Sequence, residues 1–145
     1  MAYANVLDFD ESWPAAPRAV SPARRARGRL AHLSGAMAEE SVARSLEGRG
    51  MTILARRWRG KSGEVDLICR AGQCLVFVEV KQSGSHEEAA QKLGLAQQGR
   101  IMRAALEYCD KEGHAPVPEL RFDAALVDRH GRIEILEGAF EEAFA

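Results

Sequence analysis

No run of about 18 apolar residues, the length that crosses a bilayer as a helix, occurs anywhere in this 145-residue chain. Cysteine is scarce and odd in number: three are present, without Cys-x-x-Cys spacing, which excludes a disulfide framework or a zinc ribbon. The four histidines, His32, His86, His114 and His130, are too scattered for a zinc-ligand pattern. An excess of one charge is missing as well. The formal net charge is −1; five arginines against three acids give residues 1–30 a charge of +2, leaving −3 on residues 31–145. A slightly acidic domain is poorly suited to strong non-specific nucleic-acid binding. The opening residues lack the basic start and apolar run of a signal peptide, and Asp8, Asp10 and Glu11 argue against an organellar transit sequence, so a cytoplasmic protein is expected.

What is present points to one domain carrying an arm. A chain of this length buries roughly two thirds of its unfolded surface. Residues 1–30 are rich in Ala, Pro and Arg without sustained periodicity and are expected to form a disordered N-terminal arm. Residues 31–145 read as an α/β domain, with a central mixed sheet of about five strands flanked by helices. Within it, Ser34 is a candidate N-cap for a helix over 34–49, whose apolar stripe of Val42, Ala43 and Leu46 also takes in Glu39. Glu40 and Arg44 on the opposite side are spaced for an i, i+4 pair. A strand is expected over 51–59, a polar connector over 82–94, and a helix over 95–111 with Ile101, Ala104, Ala105 and Tyr108 facing inward. Two more strands follow over 119–128 and 132–137, joined by Asp128-Arg129-His130-Gly131.

The chemistry concentrates in Gly63-Glu64-Val65-Asp66-Leu67-Ile68 and Val78-Glu79-Val80-Lys81. Both are rich in β-branched residues and are separated by the turn signal Ala71-Gly72-Gln73, so a hairpin is expected. With Ala71-Gly72 as the two-residue loop, Asp66 faces Phe77, Glu64 faces Glu79, and Cys69 faces Cys74. Val76, Val78 and Val80 then share a core face, while Glu79 and Lys81 share the other with Leu75 and Phe77. Asp66, Glu79 and Glu64 would gather on one side with Lys81, a group of carboxylates that repels itself without a cation. Hard oxygen donors suit Mg²⁺ or Mn²⁺, with Lys81 placed to orient water or stabilise developing negative charge. Acid and lysine alternating along a strand also occur on ordinary solvated sheet faces. Glu39 on the apolar stripe is read either as a further ligand or as an acid at the rim of the stripe, since an unpaired buried charge is costly.

Arg56, Arg57 and Arg59 around Trp58 on the preceding strand offer phosphate pairing and stacking, or an edge strand with its tryptophan in the core. Ala55 to Ser62, ending Gly60-Lys61-Ser62, nearly spells a nucleotide-binding loop, but the early glycine is missing and a strand is expected next where a helix is needed. Arg100 and Arg103, on the later helix, are candidate phosphate contacts.

Gly35 through Leu46, Gly50 through Arg59, the two hairpin segments, Arg121-Phe122-Asp123 and Ala139-Phe140 together resemble the successive blocks of the YraN family of small bacterial proteins, over residues 33–140. The resemblance implies a restriction-endonuclease-like fold, in which an acid is followed by an acid-x-lysine signature. Carried over position by position, it makes Asp66 and Glu79 metal-binding acids, Lys81 the lysine and Glu39 the helix glutamate. Gln97 joins Arg100 and Arg103 beside this site as a nucleic-acid contact. Three positions depart from the pattern: Ser83 replaces an arginine, Gln97 a lysine and Ala38 a glycine, which weakens the grip on phosphate. The expected activity is metal-dependent hydrolysis of phosphodiesters in nucleic acid, with a homodimer implied by related nucleases. The alternative is a non-catalytic nucleic-acid-binding or protein-interaction module on the same scaffold.

Overall fold

The computed structural model describes residues 21–114 and 118–140. Five strands form one mixed sheet in the order β1-β2-β3-β4-β5: β1 (Thr52–Arg59), β2 (Glu64–Ala71), β3 (Cys74–Gln82), β4 (Glu119–Val127) and β5 (Ile133–Leu136). Three helices accompany them, α1 (Pro22–Gly48), α2 (His86–Gln91) and α3 (Leu95–Lys111). Only β3 and β4 run parallel, in register from Cys74↔Glu119 to Gln82↔Val127; the other neighbours are antiparallel. The expected α/β architecture is therefore present, and it is consistent with a restriction-endonuclease-like fold. Among the described residues, no helix is long and apolar enough to cross a membrane.

The sheet is covered on both sides because β3 is apolar on both. Val76 and Val78 meet Ala38, Val42, Ala43 and Leu46 of α1 on one face. Leu75 and Phe77 meet Ile101, Ala104, Ala105 and Tyr108 of α3 on the other. An uninterrupted apolar run is what a strand buried from two sides requires, and each such side chain contributes about 1.5–3 kcal/mol through burial. Glu79 ends this run and is itself only 5% exposed.

The hairpin register differs from the expected one. Ala71 pairs with Cys74 and Arg70 with Leu75, so the loop is Gly72-Gln73, with Gly72 at φ 61, where a glycine costs nothing sterically. Every β2 residue thus faces a partner two positions further along β3 than expected. A shift of two preserves the faces, whereas a shift of one would have reversed them. Cys69 now faces Val76 and not Cys74. All three cysteines are free and buried, and burial pushes the Cys69 thiol up to about 12.

Two other boundaries move. The first helix begins at Pro22, not at Ser34: Ser21 caps it by accepting a bond from the Arg24 amide at 3.1 Å. Residues 22–30, expected in the arm, therefore lie in α1, while residues 1–20 lie outside the described residues. The arginine-rich first turns have no apolar periodicity, so only the Ser-Pro start signal marks them. The connector over 82–94 also contains α2, capped by Ser85 on the Glu88 amide and too short to show a periodic face.

Candidate functional site

β2 changes character at Asp66. Val65 and Ile68 both pack into the α3-side core although they are three residues apart, so the regular alternation breaks between them. Pairing of β2 with β3 stops at Leu67↔Val78, while pairing with β1 continues to Glu64. Where the ladder would have gone on, the Asp66 side chain takes over: its Oδ2 accepts the Val80 amide at 2.8 Å. A backbone donor freed by the departing strand is thereby satisfied, and the carboxylate is fixed over β3 beside Glu79.

The carboxyls of Asp66 and Glu79 are buried neighbours, and each acts on the other's affinity for a proton. Burial first, and the facing Glu79 charge second, hold Asp66 well above the usual carboxylate range. Burial also raises Glu79, against the pull of Lys81. The protonation of either acid is therefore tied to the charge on the other. Lys81 Nζ lies 3.2 Å from Glu79 Oε2, and the Gln97 amide of α3 donates to the same oxygen at 2.8 Å. Asp66, Glu79 and Lys81 thus come together as the sequence pattern anticipates. Gln97, expected as a nucleic-acid contact, stands at the acid pair and donates to Glu79.

Glu39 approaches from α1. It sits beside the apolar stripe of the helix and contributes to the field at both acids, but its Oε1 is bonded to Arg57 Nε at 2.9 Å. Glu64 has its closest cation in Arg59, at 3.7 Å. Among the described residues, no three His, Cys, Asp or Glu side chains stand close enough to hold an ion between them. Arg56 pairs with Glu40 at 2.7 Å, and Glu40 also meets Arg44 at 3.3 Å as its spacing suggests. Arg100 packs beside Gly63, where an added Cβ would lie 3.4 Å from its own; Arg103 is exposed on α3.

The sequence marks Arg57 only as one of the arginines beside Trp58 and gives no sign of its backbone conformation. It is the one non-glycine residue with positive φ among the described residues, at φ 50. Its charge is held more firmly than usual, first by the bond to Glu39 and then by the fields of Glu64 and Asp66. A left-handed backbone costs an L-residue roughly 1–2 kcal/mol, while an ion pair as exposed as this one contributes about 0–1 kcal/mol. The pair does not offset the strain. No signal in one sequence marks an arginine for that conformation. A groove of about 290 Å³ opens next to it, lined by Ala36, Glu39, Glu40, Arg56, Arg57 and Leu67.

Other motifs prove architectural. The Lys61 and Ser62 amides donate to Glu107 at 3.0 and 2.9 Å, so the phosphate-loop look-alike binds a carboxylate of α3 and runs into a strand. Gly60 is required there, since a Cβ would come within 2.7 Å of both Glu107 and the Trp58 ring. Trp58 itself lies edge-on to Tyr108 at 5.5 Å, partly buried on an edge strand. Asp123 is wholly buried and accepts two bonds from Arg121 at 2.9 Å each and one from the Gly138 amide at 3.1 Å. Phe140 stacks on Phe122 at 5.6 Å, packing back on the sheet as expected.

Residues 38–127, from the middle of α1 to the end of β4, match the profile of "Uncharacterised protein family UPF0102". A UPF0102 protein of Ruegeria pomeroyi is 50% identical over 114 residues, covering 79% of this chain and 93% of the relative. One from Dinoroseobacter shibae is 52% identical over 114 residues, covering 79% and 85%. One from Cereibacter sphaeroides is 48% identical over 113 residues, covering 78% and 97%.

Proposed function

The chain belongs to the uncharacterised protein family UPF0102, and from that premise we propose that it is a metal-dependent, nuclease-like protein that hydrolyses phosphodiester bonds in nucleic acid. The observation that carries this reading is the placing of two carboxyls, Asp66 and Glu79, side by side in a buried site with Lys81 Nζ 3.2 Å from Glu79. Beyond the donors that hold them, Val80 for Asp66 and Gln97 with Lys81 for Glu79, each of these acids has the other as its neighbour. Hard oxygen donors so placed fit a small divalent cation, Mg²⁺ or Mn²⁺, whose binding would favour the unprotonated form of both. Glu39 is the nearest further acid on α1, held now by Arg57.

The residues divide the work as follows. Asp66 and Glu79 would hold the cation, which when bound supplies Lewis acidity toward the phosphoryl oxygen and the attacking water. Lys81 places an N–H donor where negative charge develops and orients the water. Gln97 keeps Glu79 in place through its 2.8 Å bond, and Arg100 with Arg103 offers α3 contacts to the backbone phosphates. A non-catalytic nucleic-acid-binding module is the second reading. It is favoured by the missing third acid around the pair.

Calorimetric titration of Mn²⁺ into wild type and Asp66→Asn tests the proposal, alongside cleavage of labelled single-stranded, duplex and branched DNA and RNA. Wild type should bind metal and cut one of these forms, and Asp66→Asn, Glu79→Gln and Lys81→Ala should each lower turnover by about 100-fold or more in a folded protein. Binding of nucleic acid that is indifferent to metal, with no cleavage, would establish the second reading.

A further inference from the structure

Arg57 occupies a place that packing does not account for. It lies on the edge strand β1 with a left-handed backbone, φ 50, and its exposed ion pair with Glu39 does not offset that strain. Strained residues of this kind persist where surrounding structure over-determines them, and they cluster at functional sites. Here the over-determination is chemical. The guanidinium is bonded to Glu39 and lies in the fields of Glu64 and Asp66, and Arg57 lines the groove together with Ala36, Glu39, Glu40, Arg56 and Leu67. A phosphate approaching those acids meets repulsion unless a cation stands at the entrance.

Neither neighbouring arginine fills that position: Arg56 turns to Glu40 at 2.7 Å, and Arg59 lies nearest Glu64 at 3.7 Å. Glu39 engages Arg57 through Nε alone, one donor of the five in the guanidinium. The planar fork that matches two phosphate oxygens is not used by that bond.

We propose that Arg57 is the phosphate-binding residue of this site: it receives the backbone phosphate next to the scissile bond and guides the adjoining nucleotide into the groove between α1 and β1. The assignment rests on the nuclease-like reading for its consequence in turnover, but not for its consequence in binding. Substrate phosphate would compete with Glu39 for the guanidinium, which frees the Glu39 carboxylate beside the acid pair as the substrate arrives.

The test compares wild type, Arg57→Gly, Arg57→Lys and Asp66→Asn. Binding of labelled single-stranded, duplex and branched DNA and RNA is followed by anisotropy in EDTA between about 50 and 200 mM salt, cleavage is followed in Mn²⁺, and thermal melting is recorded for each protein. Arg57→Gly should make the log-affinity against log-salt slope shallower by about one and lower turnover by about 100-fold, while melting at or a few degrees above wild type because glycine accepts the positive φ. Arg57→Lys should keep the slope and lose most of the turnover, since a point charge lacks the fork. Asp66→Asn should keep the slope and lose turnover.

An unchanged slope in Arg57→Gly, or a melting temperature well below wild type, would overturn the assignment and give Arg57 a structural role. A shallower slope in Arg57→Gly with a wild type that cuts nothing would uphold it while removing the nuclease reading. Failure of wild type to bind any of the probes at the lowest salt would overturn both.

Discussion

Asp123 on β4 and Asp66 on β2 are both acids set into an otherwise apolar sheet, yet their neighbours differ in kind. Asp123 receives a two-pronged Arg121 and the Gly138 amide, so each oxygen has a donor and the charge is answered from within the fold. Asp66 receives one amide, from Val80, and otherwise confronts Glu79, a second carboxylate, which itself is paired with Lys81 at 3.2 Å. The difference separates an acid that holds structure together from an acid that the structure holds in readiness. Burial alone does not distinguish them; the sign of the nearest charge does.

The sharpest way to break this comparison is to remove the satisfied acid. Asp123→Ala leaves Arg121 without its partner and should destabilise the fold by about 3–5 kcal/mol, read from urea unfolding. A loss under about 1 kcal/mol would mean that Asp123 is no more essential to the fold than an exposed acid. Asp66→Asn should act in the opposite direction. The amide oxygen can still accept from Val80 while the repulsion with Glu79 disappears, so in the presence of chelator it should gain on the order of 1 kcal/mol at neutral pH.

The pH dependence of that gain fixes its cause. A carboxyl raised in the folded state favours folding only while it is protonated, so its contribution is intact below the unfolded value near 3.8 and is lost as pH climbs through the higher folded value. The advantage of Asp66→Asn should therefore vanish below about pH 4 and grow as pH rises from there, as followed by melting curves up to neutral pH. A constant advantage would point to packing. The smallest effect belongs to the exposed pair: Arg56→Ala should change stability by less than about 0.5 kcal/mol, and a larger loss would show that the groove beside it contributes to the fold.

Much of this was legible before any coordinates. The alternation in Val76 to Lys81 separates the two faces of β3 and places Glu79 and Lys81 on the α3 side, because strand geometry permits nothing else. The α3 face was readable from Ile101, Ala104, Ala105 and Tyr108, all of which are buried. The turn was misplaced by one residue because Ala71-Gly72 and Gly72-Gln73 both offer a glycine, and only the packing of whole strands chooses between them. An even slip preserves the faces of the paired residues, while Asp66, beyond the last β2–β3 pair, is held beside Glu79 by its bond to the Val80 amide. What the sequence could not show is whatever depends on a departure from regularity. The break in β2 at Asp66, the left-handed Arg57 and the capture of Lys61 and Ser62 by Glu107 are set by contacts 18 to 46 residues away in sequence, or by a local bend with no residue signature.

The latch at the end of the described chain bears on where the chain can stop. Ala139 donates to the Phe122 carbonyl at 2.8 Å, and Phe140 covers the Phe122 ring with 1% of its own surface exposed. Every strand is complete by Leu136, yet the α3-side core stays open until four more residues have been added. A chain that stopped at Leu136 would therefore hold every described strand and still leave the Phe122 ring uncovered.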